Sequence, residues 1–376
     1  MLCFILIDWS LGYLPNFKTW NVIFNKIQPN IGKKNIKYFL NNRLDESTRI
    51  IPHPYMSYIN RPNYINEIGI KETNNLGYRN SENYYSIFDS TDSSVKVLII
   101  GGSTTWGYYI HDPSYTWSAK LELLLTKFYP GKVIQVINAG ILYGTTAELL
   151  SHYIYKNRYL NPDIVIIHTG GNDVVPLLFH DYKPDYSEFR NINFDLHSLR
   201  RGELFLIKNS NIIKSIYISW LGDKLSIPHL KSDYKSLQLN QEYYLKNVEK
   251  NYPIGFKRNL EILIQNIILD GASPILFPFY MLDSDSLFDQ ISSEAKQLSA
   301  YTLNTREATK EGIKKHKFIM KNLSKKYKIP YYELENDIIP SQYWFDHCHL
   351  KPEGERIKSE FIFKNVKKDF DHILKK

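Results

Sequence analysis

Five short apolar runs, separated by helix-like stretches, constrain this chain more than any other feature. They are VKVLIIGG (95–102), KVIQVINAG (132–140), PDIVIIHTGG (162–171), ASPILFPFY (272–280) and IPYYELE (329–335). Most of them carry apolar residues consecutively rather than alternately, the pattern of strands buried on both faces. YTWSAKLELLLTKFY (115–129) and the stretch from Thr146 to Leu160 read as helices between the first three runs. Phe256, Leu260, Leu263, Ile264 and Ile267 repeat at helical spacing, and Gly271 stands where that helix should end. Ile313, Met320, Leu323 and Tyr327 mark another helix, and Pro352 suits the first turn of a last one. Strands alternating with helices predict an α/β fold, a three-layer α/β/α sandwich around a central five-stranded parallel sheet.

The α/β part is expected over residues 95–376, with an insertion at about 176–250 that breaks the rhythm and could cover a site. Residues 1–94 read as an N-terminal extension. It opens on the apolar MLCFILIDWSLGYL, which contains Asp8 and falls short of the ~20 apolar residues of a spanning helix. A stub of an anchor, an interfacial segment and a packed helix all fit it, so membrane association through this segment stays open. An irregular leader rich in Pro, Tyr and Asn follows (52–79).

The net charge is +8, with basic clusters such as KKHK (314–317) and SKKYK (324–328). They fall along amphipathic helices without any nucleic-acid-binding signature, so they read as solvated faces and no nucleic-acid partner is expected. The two cysteines, Cys3 and Cys348, are neither a disulfide framework nor a zinc pattern.

Loops at the carboxyl ends of parallel strands share one edge of the sheet. Here those loops hold Ser103, Gly140 to Gly144, Asn172 and the segment around Asp346. A serine hydroxyl needs a base, and WFDHCHLKPEG (344–354) offers His349 three residues after Asp346. That spacing lets the carboxylate hold one imidazole nitrogen while the other faces the serine. Asn172 in GGNDV (170–174) and the glycines of NAGILYGTT (138–146) could supply donors to an oxyanion. His347, Cys348 and His349 are adjacent and cannot all turn toward one ion, so no metal and no cofactor is expected.

Taken together, these blocks resemble those of the SGNH hydrolases, also called the GDSL esterase and lipase family, over roughly residues 95–372. GGSTTWG is similar to the first block, NAGILYGTT to the second, GGNDV to the third and DHCH to the fourth. Two departures stand out: Gly102 precedes the serine where the family name implies Asp, and the second block is one residue longer than the commonest form. The resemblance implies a flavodoxin-like SGNH fold. It implies Ser103, Asp346 and His349 as the catalytic set, and Ser103, Gly144 and Asn172 as the oxyanion hole, with Gly140 as the fallback. The implied activity is hydrolysis of an ester through an acyl-enzyme, with O-acetyl groups on carbohydrate as the favoured substrate. An O-acyltransferase using the same residues and a non-catalytic glycan-binding protein are the alternatives. Partners are then small-molecule or glycan esters. The apolar start and the leader's likeness to a segment found in glycan-linked bacterial members lean toward the cell envelope.

Overall fold

A computed structural model describes residues 49–80, 94–180, 182–186, 210, 241–283, 305–334 and 338–374. The N-terminal apolar segment, Cys3 and most of the 176–250 insertion lie outside the described residues. The chain divides into two compact units, Met1–Tyr58 with Ser187–Leu239, and Ile59–Tyr186 with Asn240–Lys376. Of the first, the described part is residues 49–58 and Ser210. It contains strand β1 (Ile50–His53) and the start of β2 (Ser57–Asn60). No helix among the described residues is long and apolar enough to cross a membrane.

The second unit is built on four parallel strands, β3 (Val95–Gly101), β4 (Ile134–Gly140), β5 (Ile164–Thr169) and β6 (Ser273–Pro278), in the order β4-β3-β5-β6. The helices are α1 (Ser103–Trp106), α2 (Trp117–Phe128), α3 (Thr146–Tyr155), α4 (Val174–Leu177), α5 (Gln241–Lys250), α6 (Ile254–Leu269), α7 (Arg306–Tyr327) and α8 (Pro352–Leu374). Residues of alternating parity point to opposite faces of the sheet. Val97, Ile99, Val136, Ile164, Ile166, Ile275 and Phe277 therefore meet Trp117, Leu121 and Leu125 of α2 and Ile362, Val366 and Phe370 of α8. Leu98, Ile100, Val165, Ile167 and Leu276 are equally buried and turn to the other face. Burying each such side chain contributes ~1.5–3 kcal/mol.

The expected fifth strand is reduced to a single bridge, Leu276 to Tyr331, with Leu276 N–H donating to Pro330 O (3.0 Å) and Tyr332 N–H to Leu276 O (3.0 Å). Proline explains the shortfall. Ser273 and Phe279 donate inward, to Asp163 O and Thr169 O, so the even positions face the outer edge. Two of these, Pro274 and Pro278, have no N–H to give. Among the described residues the sheet consequently has four strands.

The leader from Ile59 onward belongs to the same compact unit as the sheet. Arg79 N–H donates to Asn138 O (2.9 Å) and Asn80 Nδ2 to Val136 O (2.9 Å), along the outer edge of β4. Asn60 Nδ2 donates to Gly140 O (2.8 Å). This covers an edge that would otherwise offer unpaired backbone groups.

What matters for the site is register. Gly101 stands level with Gly140 on one side and His168 on the other. Three strands thus end together, and the turns that follow them open onto one edge.

Candidate active site

Ser103 is the first residue of α1, directly beyond the end of β3. The turn is tight because the strand runs into a helix with no connecting loop. A side chain at Gly101 would have its Cβ 2.1 Å from Thr105 Oγ1 and 2.3 Å from His168 O, so glycine is required there. At Gly102 a Cβ would stand 2.8 Å from Asn172 Nδ2. Thr104, Thr105 and Trp106 are buried, and Ser103 keeps partial access to solvent.

Asp346 and His349 come to Ser103 from the segment before α8. The Asp346 side chain first shapes its own loop: Oδ1 accepts from the N–H groups of Cys348 and His349, each at 2.8 Å. Its Oδ2 lies 2.8 Å from His349 Nδ1, and His349 Nε2 lies 2.9 Å from Ser103 Oγ. An ionised carboxylate only accepts, so Nδ1 carries the imidazole proton and Nε2 is left to accept from the serine hydroxyl. Burial opposes ionisation of Asp346, but the His349 hydrogen bond and the charges of His349 and His347 outweigh it. The carboxyl is held well below its ordinary range. Phe345 N–H donates to His349 O (2.9 Å) and Trp344 bridges to Leu350, which closes the loop into a small antiparallel turn.

Asn172 Nδ2 donates to Gly144 O (2.9 Å) and keeps a second amide hydrogen. Asn172 and Gly144 thus lie against Gly102, the residue before Ser103. The Gly144 N–H makes a long 3.2 Å bond to Ile141 O within its own turn. Tyr143, just before it, takes a left-handed φ of 60° and is 58% exposed. Gly140 is placed differently. Its N–H is bound to Asn138 Oδ1 (3.0 Å), and a Cβ there would lie 2.5 Å from Trp106 N, so its bareness lets α1 pack on β4. Asp173 anchors the Asn172 turn. It accepts from Thr146 N–H (3.0 Å), Thr146 Oγ1 (2.5 Å) and the Tyr186 hydroxyl (2.8 Å). Burial lifts its carboxyl to about 6 against the pull of those donors.

Three supporting groups were not legible as such in the sequence. Arg79, 1% exposed, lies 4.7 Å over the Trp106 ring. It donates to Trp106 O (3.3 Å), Glu72 O (3.2 Å) and Ile110 O, and pairs with the Glu72 carboxylate at 3.5 Å. Lys358 Nζ and Trp117 Nε1 both donate to Thr104 O, at 3.2 and 3.3 Å, while Glu355 accepts from Trp117 N–H at 2.7 Å. Both charged groups are buried on α8, and burial pushes the Glu355 carboxyl up and the Lys358 ammonium down. Finally, Tyr108 and Tyr109 flank the His349 ring, with centroids at 5.4 and 5.5 Å.

Asp346, His347 and Cys348 each bring one ligand atom within 4.8 Å of the others. The donor set suits a metal poorly. Asp346 is occupied by His349 and two amides, and burial drives the Cys348 thiol well above its ordinary value.

No family model matches this chain, and no curated protein does. Solved structures do match it. One is a catalytic mutant of Axe2, an acetylxylan esterase from Geobacillus stearothermophilus. It is 16% identical, over 73% of this chain and 94% of that one, with a TM-score of 0.42. Another is a GDSL-like lipase from Bacteroides thetaiotaomicron. It is 15% identical, over 73% of this chain and 88% of that one, with a TM-score of 0.38.

Proposed function

We propose that this chain is a serine esterase of the SGNH type that removes O-acetyl groups from carbohydrate. The observation that carries the reading is the unbroken hydrogen-bonded series Ser103 Oγ, His349 Nε2, His349 Nδ1, Asp346 Oδ2, at 2.9 and 2.8 Å.

Ser103 Oγ attacks the ester carbonyl as its proton passes to His349 Nε2. Asp346 keeps the tautomer and balances the imidazolium. The developing oxyanion takes donors from Ser103 N–H, the second Asn172 amide hydrogen and Gly144 N–H. Because the Gly144 N–H already has a long bond to Ile141 O, it contributes by turning from that acceptor to a stronger, anionic one. Collapse returns the proton from Nε2 to the leaving alkoxide and leaves an acyl-Ser103. Water, deprotonated by His349, then releases the acid. The partly exposed rings of Tyr109, Tyr143 and Phe345 beside these residues support a carbohydrate ester.

The test is hydrolysis of a short-chain aryl acetate by the wild type and by Ser103→Ala. The variant should lose at least ~10³-fold in kcat, as triad removals do. A variant keeping a tenth of the activity would overturn the proposal.

A further inference from the structure

In an acyl transfer, His349 Nε2 must hand its proton to the departing alkoxide. The alcohol half of the ester therefore lies against the imidazole. The imidazole is walled by aromatic rings. Tyr109 packs edge-on to His349, and Phe345 packs on Tyr109 with centroids 4.7 Å apart and planes inclined by 31°. Lys351 Nζ stands 5.9 Å from the Phe345 ring.

The wall is built, not incidental. Arg79 holds the carbonyls of Trp106 and Ile110, the two ends of the turn that presents Tyr108 and Tyr109. The Phe345 backbone is fixed by its bond to His349 O. Yet Tyr109 and Phe345 stay 39% and 44% exposed. An alkyl chain gains most where water is removed from all around it. A rigid aromatic surface left this open covers one side only, which fits a flat ring with an apolar face and a polar rim.

We propose that Tyr109 and Phe345 form the subsite for the leaving alcohol, and that this alcohol is a pyranoside. Its C–H face lies on the rings and its hydroxyls point to water and Lys351. The inference rests on the esterase reading above and adds where and how the sugar is held.

The experiment compares kcat/KM for a mono-O-acetylated methyl pyranoside with that for ethyl acetate, in the wild type, Phe345→Ala and Phe345→Trp. Phe345 is exposed enough to be replaced without loss of fold, which a thermal melt checks. The sugar-to-ethyl ratio should exceed ten in the wild type. It should fall at least fivefold in Phe345→Ala, mainly through KM, and recover in Phe345→Trp. A ratio that does not move in Phe345→Ala overturns the subsite. A wild type that prefers octyl acetate to the pyranoside ester overturns the sugar and assigns the wall to a lipid alcohol. The esterase reading is tested separately, because loss of ethyl acetate hydrolysis in Ser103→Ala does not depend on Phe345.

Discussion

A methyl group at position 102 would test the oxyanion side of the site without touching any reacting group. Gly102 has φ −87° and ψ −154°, which alanine adopts freely, so the backbone cost is small. The cost is local: the new Cβ would lie 2.8 Å from Asn172 Nδ2 and 3.5 Å from Gly144 O. Relaxed contacts of this kind begin near ~3.5 Å, so the amide must retreat by about 0.7 Å. That move stretches its 2.9 Å bond to Gly144 O and withdraws the second hydrogen from the oxyanion. A misplacement of ~1 Å can cost ~10²-fold, so one of about 0.7 Å should lower kcat by roughly ten- to thirtyfold. Steady-state hydrolysis of an aryl acetate by Gly102→Ala measures this, with a thermal melt to confirm the fold. The double variant Gly102→Ala/Asn172→Ala isolates the route. If the methyl acts through Asn172, it should have almost no further effect once that side chain is gone. Equal losses in both backgrounds, or kcat unchanged in the single variant, would refute the placement of the Asn172 amide at the reacting centre.

Asp346→Asn should preserve the loop yet cut kcat by ~10³–10⁴-fold, because the amide no longer fixes the His349 tautomer; pre-steady-state acylation rates would register it. Arg79→Met should destabilise the protein by ~3–5 kcal/mol, since it leaves the buried Glu72 carboxylate without its cation. Urea unfolding measures this, and kcat should fall as well because the turn that carries Tyr108 and Tyr109 loses its anchor. Asp173 titrates near 6 when folded against 3.8 as its ordinary value, so the folded state holds the extra proton between those limits. Its contribution to stability should therefore decline as pH rises from about 4 to 6, by up to ~1.4 kcal/mol per unit. The difference in unfolding free energy between wild type and Asp173→Asn should change over that window; a flat difference would contradict it.

Ser103 and Asn172, two of the proposed site residues, were legible because each closely follows a buried strand. A serine after VKVLIIGG and an asparagine after PDIVIIHTGG have nowhere to go but the carboxyl edge of a parallel sheet, and the level ends of β3, β4 and β5 bring them together. The spacing of Asp346 and His349 was readable for a local reason, since the carboxylate also caps its own loop. Choosing between Gly140 and Gly144 was harder. Both are bare residues in one short segment with a bonded N–H; what separates them is that Gly140 is packed under Trp106 and held by Asn138, while Gly144 has only a longer bond within its own turn. The fifth strand looked like a strand because Tyr331 and Tyr332 have strand preference. Its partner lacks donors at every second outward position, a property of β6 rather than of the segment itself. Arg79, Glu355 and Lys358 could not be read as site residues. Arg79 and Lys358 hold the carbonyls of Trp106 and Thr104 and Glu355 holds the Trp117 N–H, contacts that span long stretches of sequence. The basic run at 314–317 combines opposite behaviours: Lys314 is largely exposed, while His316 stacks on Phe256 at 4.0 Å and bonds Gly170 O at 2.7 Å.

The most direct measurement is the rate and position of labelling by a fluorophosphonate, read by intact mass and by peptide mapping. One adduct per chain should form, on Ser103. It should vanish in Ser103→Ala and slow by at least ~10³-fold in His349→Ala. An adduct on another residue, or an undiminished rate without the imidazole, would mean that these groups do not act as a unit.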